Sequence, residues 1–157
     1  MKLKLNLGCC DNQLPDYLNV DRWQPPWATP ETFLRVDLSR PWPWPDNSVS
    51  EIRAWDILEH LPDKIFTMNE IHRVLEPDGL VDIQVPTTDG RGAWQDPNHL
   101  SYWNVNSFYY VTHGNAHFTR FREPYGMTGA FRIVRAPVHE RTQDMIVYLR
   151  ISLRAVK

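Results

Sequence analysis

Leu3-Lys4-Leu5-Asn6-Leu7 alternates apolar and polar side chains with period two and runs into Gly8, the pattern of a strand ending in a turn. Two more short runs, Tyr17-Leu18-Asn19-Val20-Asp21 and Phe33-Leu34-Arg35-Val36-Asp37, each end on a carboxylate and predict a second and a third strand. Ser50-Glu51-Ile52-Arg53-Ala54-Trp55 predicts a fourth, ending beside Asp56. The period then changes. Asp63 is a suitable helix cap, followed by Ile65, Phe66, Met68, Asn69, Ile71, His72 and Leu75 at helical spacing, until Pro77-Asp78-Gly79 stops the helix. Leu80-Val81-Asp82-Ile83-Gln84-Val85 predicts a fifth strand closed by Pro86. Residues 87–99 read as a loop and 104–112 as a short helix opening at Asn104 or Asn106. Phe131–Val134 and the alternating run from Met145 to Val156 predict two late strands.

Strands separated by loops and one clear helix, each ending on a polar residue, predict an open α/β sheet. Ligands of such sheets sit beyond the carboxyl ends of the strands, where Gly8, Asp21, Asp37 and Asp56 all fall.

The length of 157 residues suits one domain spanning 1–157, and 42% hydrophobic with 23% charged residues excludes intrinsic disorder. No apolar run approaches the ~20 residues that span a bilayer. Met1-Lys2-Leu3-Lys4-Leu5-Asn6 lacks the apolar core of a signal peptide. Cys9 and Cys10 are adjacent, a poor disulfide without the spacing of a zinc or redox pair, so a reducing, cytoplasmic setting is expected. The net charge of −2 gives no nucleic-acid footprint, and no nucleic-acid partner is expected. The charge is uneven. Residues 1–98 carry 9 basic and 16 acidic side chains, residues 99–157 carry 8 and 3. The basic piece reads as a solvated strand face in preference to an anion site.

The strand ends carry complementary chemistry. Gly8 lets backbone approach a ligand closely. Asp21 stands where a carboxylate accepts both hydroxyls of a ribose, and Asp37-Leu38 where an acceptor takes an adenine amino group. Together they match the parts of a nucleoside.

The chain resembles the class I S-adenosylmethionine-dependent methyltransferases, in particular a short type 11-like group. The resemblance rests on Leu5-Asn6-Leu7-Gly8-Cys9, Tyr17-Leu18-Asn19-Val20-Asp21, Asp37-Leu38, Pro43-Trp44-Pro45-Asp46-Asn47-Ser48-Val49 and Ile57-Leu58-Glu59-His60-Leu61. It continues through Glu70-Ile71-His72-Arg73-Val74-Leu75-Glu76-Pro77-Asp78-Gly79-Leu80, covering roughly residues 3–87. It implies a Rossmann-like, mostly parallel sheet flanked by helices, with a shortened first helix region and an antiparallel C-terminal strand. It also implies S-adenosylmethionine as cofactor. Leu7, Gly8, Cys9 and Cys10 would then pass by the methionine part, Asp21 hold the ribose, and Asp37 and Leu38 the adenine. Trp55 and Asp56 would line the far wall, with His60 near the sulfonium. Two departures stand out: Cys10 occupies the second Gly position of the family turn, and residues 10–16 leave no room for a full first helix.

Gly92-Ala93-Trp94-Gln95-Asp96-Pro97-Asn98-His99 resembles part of the same group and follows the fifth strand, where an acceptor meets the cofactor. His99, with Asp96 orienting it, is the first candidate base and His60 the second. Asp96 and His99 equally suit an Asx turn that only holds the loop. Two ligands are too few for a metal, and none is expected. Trp42 and Trp44 read as packing. The expected activity is methyl transfer to a small acceptor, at oxygen, and the resemblance allows a saccharide-related one. The alternative is a non-catalytic binding protein of the same fold. A nicotinamide oxidoreductase is disfavoured because the first turn lacks Gly-x-Gly-x-x-Gly.

Overall fold

A computed structural model of the protein describes residues 2–26 and 28–157. Seven strands form one sheet: β1 (Leu3–Leu7), β2 (Leu18–Asp21), β3 (Phe33–Arg35), β4 (Val49–Trp55), β5 (Leu75–Pro86), β6 (Phe131–Arg141) and β7 (Val147–Ala155). Their order is β3-β2-β1-β4-β5-β7-β6. The first five pair in parallel, and β7 runs antiparallel to both β5 and β6. This is the Rossmann-like sheet with the antiparallel C-terminal strand that the sequence predicts. The order reverses between β1 and β4, the switch point at which such sheets open a crevice.

The alternation in sequence becomes a division between faces. Leu5 lies beside Leu18 and Ile52; Leu7 beside Val20 and Ala54. Ile52 and Ala54 lie beside Val81 and Ile83, and these beside Leu153 and Ile151, so apolar side chains carry across the sheet on one face. On the other face Asn6, Arg53, Asp82 and Ser152 lie in one row, and Trp55, Gln84 and Arg150 in the next. Parallel sheets are usually covered on both faces. Here the chain between β1 and β2, and between β2 and β3, carries no helix among the described residues. The second face is instead a polar lattice. Arg53 donates to Asn6, which donates to Asn19; the Trp55 indole donates to Asp82 at 2.9 Å, with the Arg53 and Arg150 guanidiniums over its ring.

Helix α1 (Lys64–Val74) begins where predicted: Asp63 Oδ1 accepts the N–H groups of Ile65 and Phe66, both at 2.9 Å. It buries Met68, Ile71 and Val74 in the core. Its Glu70 is buried too, because it accepts the Trp42 N–H at 2.7 Å and pairs with Arg73, which also reaches the Trp42 and Trp44 carbonyls and Asp46. Trp42 and Trp44 are buried edge to face, as the packing reading expects. Pro77-Asp78-Gly79 does not sit between helix and strand. Strand β5 starts at Leu75, and the turn, with Asp78 at φ 61°, is an interruption in its register: Val49 pairs with Leu75, but Glu51 with Leu80.

The expected loop at 87–99 contains one helical turn, α2 (Gly92–Gln95). Helix α3 (Val105–Tyr109) opens at Asn104 with a capping box to Ser107, and α4 (Ala116–Phe121), which the pattern does not signal, follows Asn115 as cap. No helix among the described residues is long and apolar enough to cross a membrane.

Candidate active site

Beyond the carboxyl ends of β1, β2 and β4 lies a cleft of about 470 Å³, within the ~300–1,000 Å³ usual for small-molecule sites. Gly8, Cys10, Asp21, Asp37, Leu38, Asp56 and His60 all line it. Leu7 and Cys9 do not: their side chains are buried in the core beside it, and burial pushes the Cys9 thiol up to about 11. Trp55 belongs to the polar face of the sheet, held by Asp82, and does not line the cleft.

Each wall has a local cause. Gly8 has φ 64°, and a Cβ there would meet Ile57 at 2.6 Å, so both backbone and space demand glycine. Cys10 also adopts positive φ, 43°, without glycine's freedom. Its N–H donates to Asp21 Oδ2 at 3.0 Å, while Asp21 Oδ1 accepts the Trp23 N–H at 3.0 Å. Each carboxylate oxygen keeps a second lone pair. Asp37 Oδ1 accepts from the Ser39 N–H and hydroxyl, which hold the Asp37 carboxyl below its usual range; Val36 and Leu38 supply apolar wall beside it. At the other end Asp56, at φ 54°, accepts from Gln84 at 2.9 Å, and burial raises its carboxyl.

The turn Leu58–His60, a single turn of 3₁₀ helix after β4, and the loop after β5 are tied together. The Glu59 carbonyl accepts the N–H groups of Leu100 and Ser101 at 2.8 and 3.0 Å, and the Ser101 hydroxyl donates to the Leu58 carbonyl. These bonds bring His60 against His99, with ring centroids 4.9 Å apart. His60 Nδ1 faces the Asn98 carbonyl at 3.2 Å, and His99 Nδ1 the Ala93 carbonyl at 2.9 Å. Asp96 accepts the Asn98 N–H at 2.8 Å, the Asx turn foreseen, and its Oδ2 lies 3.9 Å from His99 Nε2. His60 lines the cleft; the His99 side chain, 7% exposed, lies behind it. Glu59, which the sequence reading gives no role, is 2% exposed and stands with the two imidazoles; burial without a counter-charge pushes its carboxyl up to about 8.

A methyltransferase domain family matches residues 5–83, half of the chain. None of the curated proteins matches its sequence. Among solved structures, a 1,6-didemethyltoxoflavin-N1-methyltransferase of Burkholderia thailandensis, bound to 1,6-didemethyltoxoflavin and S-adenosylhomocysteine, is 17% identical with a TM-score of 0.65, over 99% of this chain and 71% of that one. A 16S rRNA (adenine(1408)-N(1))-methyltransferase variant of Catenulisporales acidiphilia is 11% identical with a TM-score of 0.56, over 99% and 86%. An S-adenosylmethionine-dependent methyltransferase of Methanosarcina mazei is 13% identical with a TM-score of 0.58, over 98% and 92%. At these identities the likeness is one of fold.

Proposed function

The chain belongs to the S-adenosylmethionine-dependent methyltransferase domain family, and from that premise we propose that it methylates a hydroxyl oxygen of a small acceptor in the cleft beyond β1 and β4. The observation that carries this reading is one cleft lined together by Gly8, Asp21, Asp37, Leu38 and His60. The cofactor supplies a methyl group on a sulfonium sulfur. The residues fit it: Gly8 presents bare backbone to the cleft, and the free lone pairs of Asp21 suit two vicinal ribose hydroxyls. Val36 and Leu38 suit the faces of an adenine ring, and the Asp37 carboxylate its amino group.

An acceptor hydroxyl must lose its proton as its oxygen bonds the methyl carbon. The groups beside the cleft that handle a proton are His60, His99 and Asp96, and we assign that task to them. Trp94 and Tyr102, stacked at 4.4 Å and both exposed on the same loop, offer an aromatic face to a saccharide-related acceptor. The test is transfer from methyl-labelled S-adenosylmethionine to a panel of small hydroxyl compounds and matching amines. Label is expected in ethers. Label on nitrogen alone overturns the oxygen assignment, and tight donor binding with no transfer to any acceptor favours a non-catalytic binding protein.

A further inference from the structure

Glu59, His60 and His99 place one carboxylate oxygen and one nitrogen from each ring within 4.8 Å of one another. Two features of this cluster suit a cation. Glu59 is 2% exposed, and its Oε2 is buried with no hydrogen-bond partner, an arrangement costly for an acceptor that is left unmatched. Each imidazole faces a backbone carbonyl through Nδ1. A carbonyl only accepts, so each Nδ1 donates to it and leaves Nε2 as the ring's ligating atom, with a hydrogen bond of the kind that orients metal-binding histidines.

We propose that Glu59, His60 and His99 bind a divalent transition-metal ion in the wall of the cleft, three protein donors that leave a further position open. Two imidazoles with carboxylate oxygens suit zinc, manganese or cobalt, whereas magnesium prefers oxygen alone. Two chain segments supply the set, which is why Asp96 and His99 read as too few in sequence.

The role of the ion in turnover rests on the hydroxyl-methylating reading above. Because His60 lines the cleft, the ion is within reach of the acceptor. A hydroxyl on such an ion loses its proton to solvent near neutral pH. Its oxygen then forms the bond to the methyl carbon as the carbon–sulfur bond breaks, and the sulfur keeps the electron pair. With the ion bound the imidazoles act as its ligands, and the proton task assigned to them above passes to the ion and solvent.

The test uses the full chain stripped with chelator and titrated with zinc, manganese, cobalt or magnesium chloride by calorimetry, with metal content read by mass spectrometry. One zinc, manganese or cobalt per chain is expected, with visible absorption bands from bound cobalt and a metal-dependent rise in melting temperature. Glu59→Gln and His99→Ala each lower affinity by about 100-fold or more and abolish the cobalt bands. If His99→Ala fails to fold, the isosteric Glu59→Gln and the cleft-lining variant His60→Asn carry the same test. Absence of binding at millimolar metal, or affinity unchanged in these variants, overturns the site. S-adenosylmethionine binding to the metal-free protein is measured alongside. Its loss contradicts the functional reading, while its retention without metal binding contradicts only the ion.

Discussion

Asp21 Oδ2 accepts the backbone N–H of Cys10 at 3.0 Å, so the carboxylate that ends β2 fixes a residue that itself sits at φ 43°. The bond makes one unit of the Gly8–Cys10 turn and the second strand. No helix follows that turn before β2 among the described residues.

Asp21→Ala is expected to weaken S-adenosylmethionine binding by roughly 30- to 150-fold, the ~2–3 kcal/mol of a charge-assisted acceptor shared by two hydroxyls. Asp21→Asn, which keeps an acceptor for the Cys10 N–H, separates the ribose contact from the turn. Calorimetric titration of both folded variants reads the difference. Unchanged affinity in both would remove the ribose assignment.

Cys10→Gly relieves a left-handed backbone conformation that costs a β-carbon-bearing residue ~1–2 kcal/mol, offset in part by the extra freedom glycine gives the unfolded chain. The expected result is equal or higher thermal stability with equal or tighter cofactor binding. A large loss of affinity would make the Cys10 side chain a ligand contact.

Glu70→Gln should lower stability by about 2 kcal/mol at neutral pH, because the buried carboxylate is the common acceptor for Arg73 and the Trp42 N–H. Hydrogen bonding to Arg73 holds the Glu70 carboxyl below its ordinary value. Its contribution is therefore complete above the ordinary carboxylate pKa of ~4.3 and is lost as pH falls through the lower folded value. Denaturant unfolding of both proteins from pH 7 to pH 3 should show the gap closing only at the acid end. A gap independent of pH would place the effect in packing.

The sheet was legible because its one-sided burial writes itself as alternation: Leu5 and Leu7 face the core, Lys4 and Asn6 the polar lattice. The gathering of Gly8, Asp21 and Asp37 at one cleft was legible for a related reason: each lies at or just beyond a strand end, and parallel strands bring their ends together. The resemblance puts Trp55 in the cleft wall, yet side chains alternate, and it falls on the face where Asp82 and two arginines take its ring. Glu59 gave no signal because its place beside the two imidazoles depends on a loop some 40 residues later, folded back by hydrogen bonds to the Glu59 backbone carbonyl. Helix α4 was hidden because only Phe118 is buried along it.

His99→Ala should reduce methyl transfer by ~10²–10⁴-fold while leaving S-adenosylmethionine affinity nearly unchanged, since the side chain lies behind His60 and outside the cleft lining. Asp96→Asn should give a smaller loss. Single-turnover rates and donor titrations on the same preparations separate the two quantities. Full turnover in His99→Ala would transfer the role to His60 alone.

The most direct test of the account is calorimetric titration of the protein with S-adenosylmethionine and with S-adenosylhomocysteine, with NADH as control. The account predicts one site per chain for both sulfur compounds, loss of that binding in Asp21→Ala, and no heat with NADH. No binding of either sulfur compound to the folded protein, or binding of NADH in their place, would contradict it.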